Sequence, residues 1–234
     1  MIFEICTDSV EGAISAEKYG AKRIELCAAL SVGGLTPNYG LVKTCTDKSS
    51  VEVHTMIRHK EGGFNYNSAD VDLMKIDIRT MKKAGARGVV FGILSDDNTV
   101  SELNRELVRL SKSLGLEVTF HRAFDFISDY KKAIKGLIDM KFDRLLTSGL
   151  KPSVVDGLDV ISYLQENHGS KIQIMAGSGV NAQNALEIAK TGIQNLHFTA
   201  RKSLNNPTNL SMGELMVVDK NKMIDIISLF QEVL

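Results

Sequence analysis

Short apolar runs alternate with amphipathic stretches along almost the whole chain. The runs are rich in β-branched and aromatic residues. They fall at 2–6 (IFEIC), 23–27 (RIELC), 51–57 (VEVHTMI), 88–92 (GVVFG), 116–121 (LEVTFH), 143–147 (DRLLT), 171–176 (KIQIMA) and 193–198 (IQNLHF). The intervening stretches carry a helical period. Val10, Ala13 and Ala16 recur at three-residue steps before Gly20, and Val71, Met74, Ile78 and Met81 share one side of a stretch that opens on Ser68, a candidate N-cap, and closes on Gly85. "NAQNALEIAKTG" and "KNKMIDIISLFQEVL" read the same way. Eight strand–helix units with no Gly/Pro/Ser-rich linker predict one (β/α)8 TIM-barrel domain over 1–234, its strands and helices reaching to about residue 200, with a loop and a C-terminal helix over 201–234. A doubly wound open sheet is the alternative. It would carry a Gly-rich fingerprint in the first strand-to-helix turn, where this chain reads "EICTDSVEG".

Three stretches break the rhythm. "SVGGLTPNYG" (31–40) and "RHKEGGFNYNS" (58–68) leave the carboxyl ends of the second and third strands, and "RKSLNNPTNLSMGE" (201–214) follows the eighth. Long polar connections at that end are expected of a barrel whose active face is built up there, and the third reads as a lid or an interface loop.

Composition narrows the partners. With 28 basic and 28 acidic side chains among 234 residues, the chain offers no electrostatic reason to bind nucleic acid or an anionic membrane. No apolar run approaches the ~18 residues of a membrane span, and the opening "MIFEICTDS" turns acidic at its fourth residue instead of forming a basic, apolar leader. Three cysteines do not make a disulfide framework, which points to a reducing, cytoplasmic setting.

The chemistry lies in the polar residues that interrupt the strands. Side chains two apart share a face of a strand, so Glu4 and Cys6 point one way, as do Glu25 and Cys27. With the first two strands side by side in register, these four form a small square inside the barrel, the cysteines toward the open end. His54 and Arg58 flank the third strand, Thr119 and His121 lie on the fifth with Arg122 and Asp125 beyond, Thr147 and Ser148 end the sixth, and His197 and Thr199 end the eighth. A single buried histidine or cysteine is ordinarily a satisfied core residue, but several such groups beside two carboxylates are expensive unless paired or bound to something. Cys45 sits within the second helix and reads as structural. The turn Gly177-Ser178-Gly179, followed by a helix expected from about Asn181, is a candidate anion cradle at the position where many barrels hold phosphate.

"EICTDS", "RIELCAAL", "GGLTPNYG", "MIRHKEGGFNY", "GVVFGIL", "VTFHRAFD", "RLLTSG" and "IMAGSGV", in this order, resemble the successive signatures of the CutC family of copper homeostasis proteins from Phe3 to about Thr199. The resemblance implies a cytoplasmic TIM barrel, a homodimer or higher homo-oligomer, and a Cu(I) site on Cys6 and Cys27. At "IRHK" this chain departs from the family's "IRPR", and Lys60 replaces an arginine able to grip an anion bidentately.

Three readings follow. In the first, Cys6 and Cys27 bind Cu(I), a soft ion that favours sulfur, and Met56 or Met175 adds a third donor; the neighbouring Glu4 and Glu25 would raise the thiol pKa values. In the second, the barrel is an enzyme for a small anionic, possibly phosphorylated, metabolite. Glu4 or Glu25 then serves as general acid or base with His121 as partner, Arg58 and Arg122 orient the anion, and Ser148 with Gly177–Gly179 binds it. The third is a divalent-metal site of His54, His121 and His197 with one glutamate, without the spacing of known zinc motifs.

Overall fold

In the computed structural model, residues 1–204 and 213–231 are described. Strands β1 (Ile2–Thr7), β2 (Arg23–Leu26), β3 (Glu52–Met56), β4 (Gly88–Phe91), β5 (Glu117–Phe120), β6 (Arg144–Thr147), β7 (Gln173–Ala176) and β8 (Asn195–Thr199) pair in parallel and in sequence order, and β8 closes on β1. Between them run α1 (Val10–Lys18), α2 (Tyr39–Lys48), α3 (Ser68–Lys83), α4 (Asn104–Ser113), α5 (Tyr130–Met140), α6 (Leu158–His168) and α7 (Ala185–Ala189). The fold is thus a single-domain TIM barrel, and all eight strands lie where the apolar runs place them. Beyond the barrel, β9 (Arg201–Ser203) and β10 (Met216–Val218) form an antiparallel pair that leads into α8 (Lys220–Ser228). The central part of the expected lid or interface loop, 205–212, lies outside the described residues.

The helices seat as their periodicity dictates. Val71, Met74, Ile78 and Met81 of α3 are all buried. Its cap is one residue earlier than expected: the Asn67 side chain accepts from the N–H of Asp70, while the Asp70 carboxylate accepts from the N–H of Asn67. This reciprocal box satisfies two otherwise orphaned donors and contributes about 1 kcal/mol. Helix α7 begins at Ala185, later than the expected start near Asn181, because Asn181 and Asn184 close a turn of their own.

Outward-facing strand residues such as Ile5, Ile24, Leu26, Val53 and Val89 join the layer between barrel and helices. Each such fully buried side chain favours the fold by about 1.5–3 kcal/mol. Cys6, Cys27, Met56 and Val90 form a second, smaller apolar cluster, with Leu30 packed against it.

The expected in-register square does not form. Glu4 faces Arg23 across β1 and β2, and Cys6 faces Glu25. A closed barrel requires staggered neighbours, and the stagger moves β2 by two residues against the simple pairing. Arg23, Glu25 and Cys27 therefore make one inward column, set beside Glu4 and Cys6.

Candidate functional site

The innermost layer is an ion network. Arg23, 2% exposed, donates through Nε to Glu4 Oε2 at 2.7 Å and through Nη2 to Asn195 Oδ1 at 2.8 Å and Met175 Sδ at 3.6 Å. The other Glu4 oxygen lies 2.8 Å from His197 Nδ1. Burial alone would push the Glu4 carboxyl up, but the His197 hydrogen bond and the Arg23 and His197 charges hold it far below the usual range. Glu4 is thereby an ionised, doubly paired anchor that fixes the His197 ring.

Above it lie the sulfurs. Cys6 Sγ is 3.3 Å and Cys27 Sγ 3.6 Å from Glu25 Oε2. The ligand atoms of Cys6, Glu25 and Cys27 all fall within 4.8 Å of one another, as do those of Glu4, Glu25 and His197. Hydrogen bonding from Cys27 lowers the Cys6 thiol to about 5 against its burial, and His197 adds to this. Donating to Cys6 and being buried push Cys27 well up. The expectation that the carboxylates raise both thiols therefore fails for Cys6, where the Cys27 and His197 contacts outweigh burial and the Glu25 hydrogen bond itself lowers the thiol. Burial and the Cys6 charge drive Glu25 well above the carboxylate range. Burial would lower His197, but the Glu25 charge and hydrogen bonds to Cys6 and Glu4 raise it. The Cys6 thiol is thus lowered beside a His197 ring raised toward its charged form and a Glu25 carboxyl raised toward its neutral form. Glu25 Oε1 is buried without a hydrogen-bond partner.

The sulfur layer opens into a cavity of about 1050 Å³ at the carboxyl end of the strands, lined among others by Cys6, Glu25, Met56, Arg58, Phe64 and His121. Arg58 is 4% exposed. Its Nη1 donates to the carbonyls of Val32 and Gly34 and its Nη2 to that of Gly62, so it ties together the loops after β2 and β3, and Nε has no partner. Its guanidinium lies 5.5 Å from the centre of the Phe64 ring, which also packs on His121 at 4.9 Å and Phe126 at 5.4 Å. His121 Nδ1 accepts from the N–H of Ala123, which leaves the ring proton on Nε2, and burial lowers the imidazole to about 3. It stands in the aromatic wall of the cavity, outside the close grouping of Glu4, Glu25 and His197.

Other expected residues are engaged elsewhere. Arg122 does line the cavity, but its Nε is 2.8 Å from Asp125 and its Nη2 donates to Ser148. Ser148 Oγ and N–H both donate to Asp125, which also accepts from the N–H of Leu150, so this serine is a strut for the loop after β6. In the Gly177–Gly179 turn, the Gly177 N–H donates to Thr147 and Ser178 Oγ to Pro152. The N–H groups of Asn181, Gln183 and Asn184 are taken by the side chains of Asn184 and Asn181. Within the turn, the Gly177 N–H and the Ser178 hydroxyl are engaged by the end of β6 and the loop after it, Ser178 and Gly179 line the cavity, and α7 is a five-residue helix. The three-histidine site does not assemble among the described residues. His54 lies at the barrel floor, 3.9 Å from Glu117, His121 sits in the aromatic wall, and only His197 reaches the acids. Lys60, at the position of the family's arginine, pairs outward with Asp70.

Sequence reasoning overlooked Arg23 as a site residue. The signal was available: Arg23, Glu25 and Cys27 repeat at the two-residue period of one strand face.

Comparison with known proteins agrees with the barrel. The model of the CutC family matches residues 1–202. A CutC family protein of Histophilus somni is 37% identical over 245 residues, covering 99% of this chain and 100% of that protein. One from Bacteroides fragilis is 41% identical over 208 residues, covering 88% and 82%. A Streptococcus agalactiae crystal structure, described as that of a proposed copper homeostasis protein CutC, superposes with a TM-score of 0.79 at 32% identity, covering 85% of this chain and 98% of that one.

Proposed function

Since the chain belongs to the CutC family, we propose that it is a cytoplasmic copper-handling protein that takes Cu(I) as cargo on Cys6 and Cys27. One observation carries the reading: two buried thiol sulfurs lie within 4.8 Å of each other at the mouth of the barrel, and neighbouring donors lower one of them, Cys6, to about 5. Soft sulfur is the donor Cu(I) prefers, and a thiolate needs no proton removed before it binds. The donor set fits. Met56 packs in the same cluster as both cysteines and is the better third sulfur, whereas Met175 accepts from Arg23. Cys27 loses its proton as the ion enters, and the His197 imidazolium offsets the added negative charge. The expectation of a homodimer or higher homo-oligomer accompanies this reading, and no helix among the described residues is long and apolar enough to cross a membrane. The test is titration of reduced protein with Cu(I) against a competing chelator. One ion per chain is expected, lost in Cys27→Ser; retention by that variant refutes the assignment.

A second reading, an enzyme acting on a small organic anion, is favoured by the size of the cavity. About 1050 Å³ is far more than one ion requires and is at the upper end for a small-molecule site. Glu25 and His197 would supply the acid–base pair.

A further inference from the structure

Three described residues that line the mouth cavity have a buried polar atom without a hydrogen-bond partner, Glu25, Arg58 and Arg201, and of the two arginines only Arg201 has an ion pair, with Asp8. Arg58 is a buried cation with no carboxylate in ion-pair range among the described residues, and its Nε is unpaired. Glu25 Oε1 is likewise buried and unpaired. Both residues line one cavity. Between a buried cation and water, or another charge, the fold normally supplies compensation, since an isolated charge in an apolar wall is costly. Three carbonyl acceptors answer part of the Arg58 charge but carry no net negative charge. The space beside it is walled by the Phe64 ring, by Phe126, which is 62% exposed, and by the neutral His121 ring, whose remaining N–H is a donor.

Resting on the second reading above, we propose that this cavity binds a small organic acid carrying a further oxygen function, its carboxylate against Arg58, its carbon skeleton against Phe64 and Phe126, and its hydroxyl or carbonyl at Glu25. A carboxylate suits the site better than a phosphoryl group. The other arginines of the mouth are already paired, Arg122 with Asp125 and Arg201 with Asp8, which leaves Arg58 as the one arginine there without a carboxylate partner among the described residues. The Arg58 guanidinium, whose Nε–H is unengaged and whose charge no carboxylate offsets among the described residues, matches one negative charge. The apolar wall favours a ligand with a flat or branched body over a bare ion. Cys6 lies at the floor of the same cavity, so the ligand and the sulfur pair share a single chamber.

The experiment is calorimetric titration of reduced, metal-free protein with a panel of α-hydroxy and α-keto acids, aliphatic and aromatic, with their amides and with inorganic phosphate. At least one acid is expected to bind, with its amide weaker by roughly tenfold or more, the loss of one hydrogen-bonded charge. Arg58→Met is expected to remove that binding. Because Arg58 also braces two loops, Glu25→Gln serves as the second variant: it keeps the shape, and it is expected to weaken hydroxy or keto acids while leaving a plain carboxylate of the same size unaffected. Binding of phosphate but not of the acids, abolished by Arg58→Met, would overturn the carboxylate assignment and leave the anion reading standing. Binding of no member of the panel would overturn both.

Discussion

Cys6 and Glu25 sit opposite each other across β1 and β2, with sulfur and carboxyl oxygen 3.3 Å apart. They share one proton. Burial and its acidic neighbours push Glu25 up, while Cys27 and His197 bring Cys6 down to about 5. These surroundings favour the thiolate form of the sulfur and the neutral form of the carboxyl, and the metal-binding and acid–base readings both start from that contact.

Alkylation should reveal it. Cys6 borders the cavity and is ionised, whereas Cys27 and Cys45 are fully buried and raised, Cys45 to about 11. Brief iodoacetamide treatment near neutral pH, read by peptide mass spectrometry, is expected to label Cys6 first, with a rate that falls as the pH drops through about 5. Labelling of Cys45 ahead of Cys6 would contradict the assignment.

The Glu4–Arg23 pair should matter far more than a surface bridge. Both side chains are almost fully buried, so Arg23→Leu leaves Glu4 charged and half-paired inside the barrel. A loss of about 3–5 kcal/mol is expected in urea unfolding, against at most about 1 kcal/mol for Lys43→Ala at the exposed Lys43–Asp47 bridge. Equal losses would mean that the inner pair is not the anchor described.

Acid should weaken the fold through histidines. Burial lowers His54 to about 4 and His121 to about 3, below an unfolded value of about 6.5. In that window the unfolded chain binds protons that the native chain refuses. The contribution is therefore complete above about pH 6.5 and drains as the pH falls toward the folded values. His121→Asn, which retains a capping acceptor for the Ala123 N–H, is expected to flatten the fall in stability between roughly pH 6 and 4. An unchanged slope in urea midpoints across that range would refute it.

The strands are legible in the sequence because each buried one is a short apolar run bounded by Gly or polar residues. Glu4, Cys6, Glu25 and Cys27 stand out because they break such runs on one face. The stagger of β2 against β1 is not legible, since it follows from closing eight strands together and is not encoded within either one. That stagger replaces the expected pairing of two acids with Glu4 on Arg23 and Cys6 on Glu25. Arg58 shows the same limit. Its charge and loop suggest an anion grip, yet the three carbonyls that hold it belong to segments 32–34 and 62, and their convergence is tertiary.

Met56 offers a graded test of the sulfur set. It packs with both cysteines, so Met56→Leu, which preserves volume, is expected to lower Cu(I) affinity by roughly tenfold while the stoichiometry holds. Met175→Leu should leave affinity unchanged. The reverse order, measured by chelator competition, would place the third donor elsewhere.

The most direct test is X-ray absorption at the copper edge of reduced protein loaded with Cu(I). The account predicts a first shell made of sulfur, losing one sulfur in Cys6→Ser or in Cys27→Ser, with no ordered copper in the double variant. A shell of nitrogen and oxygen, or a spectrum unchanged when both cysteines are replaced, would contradict it.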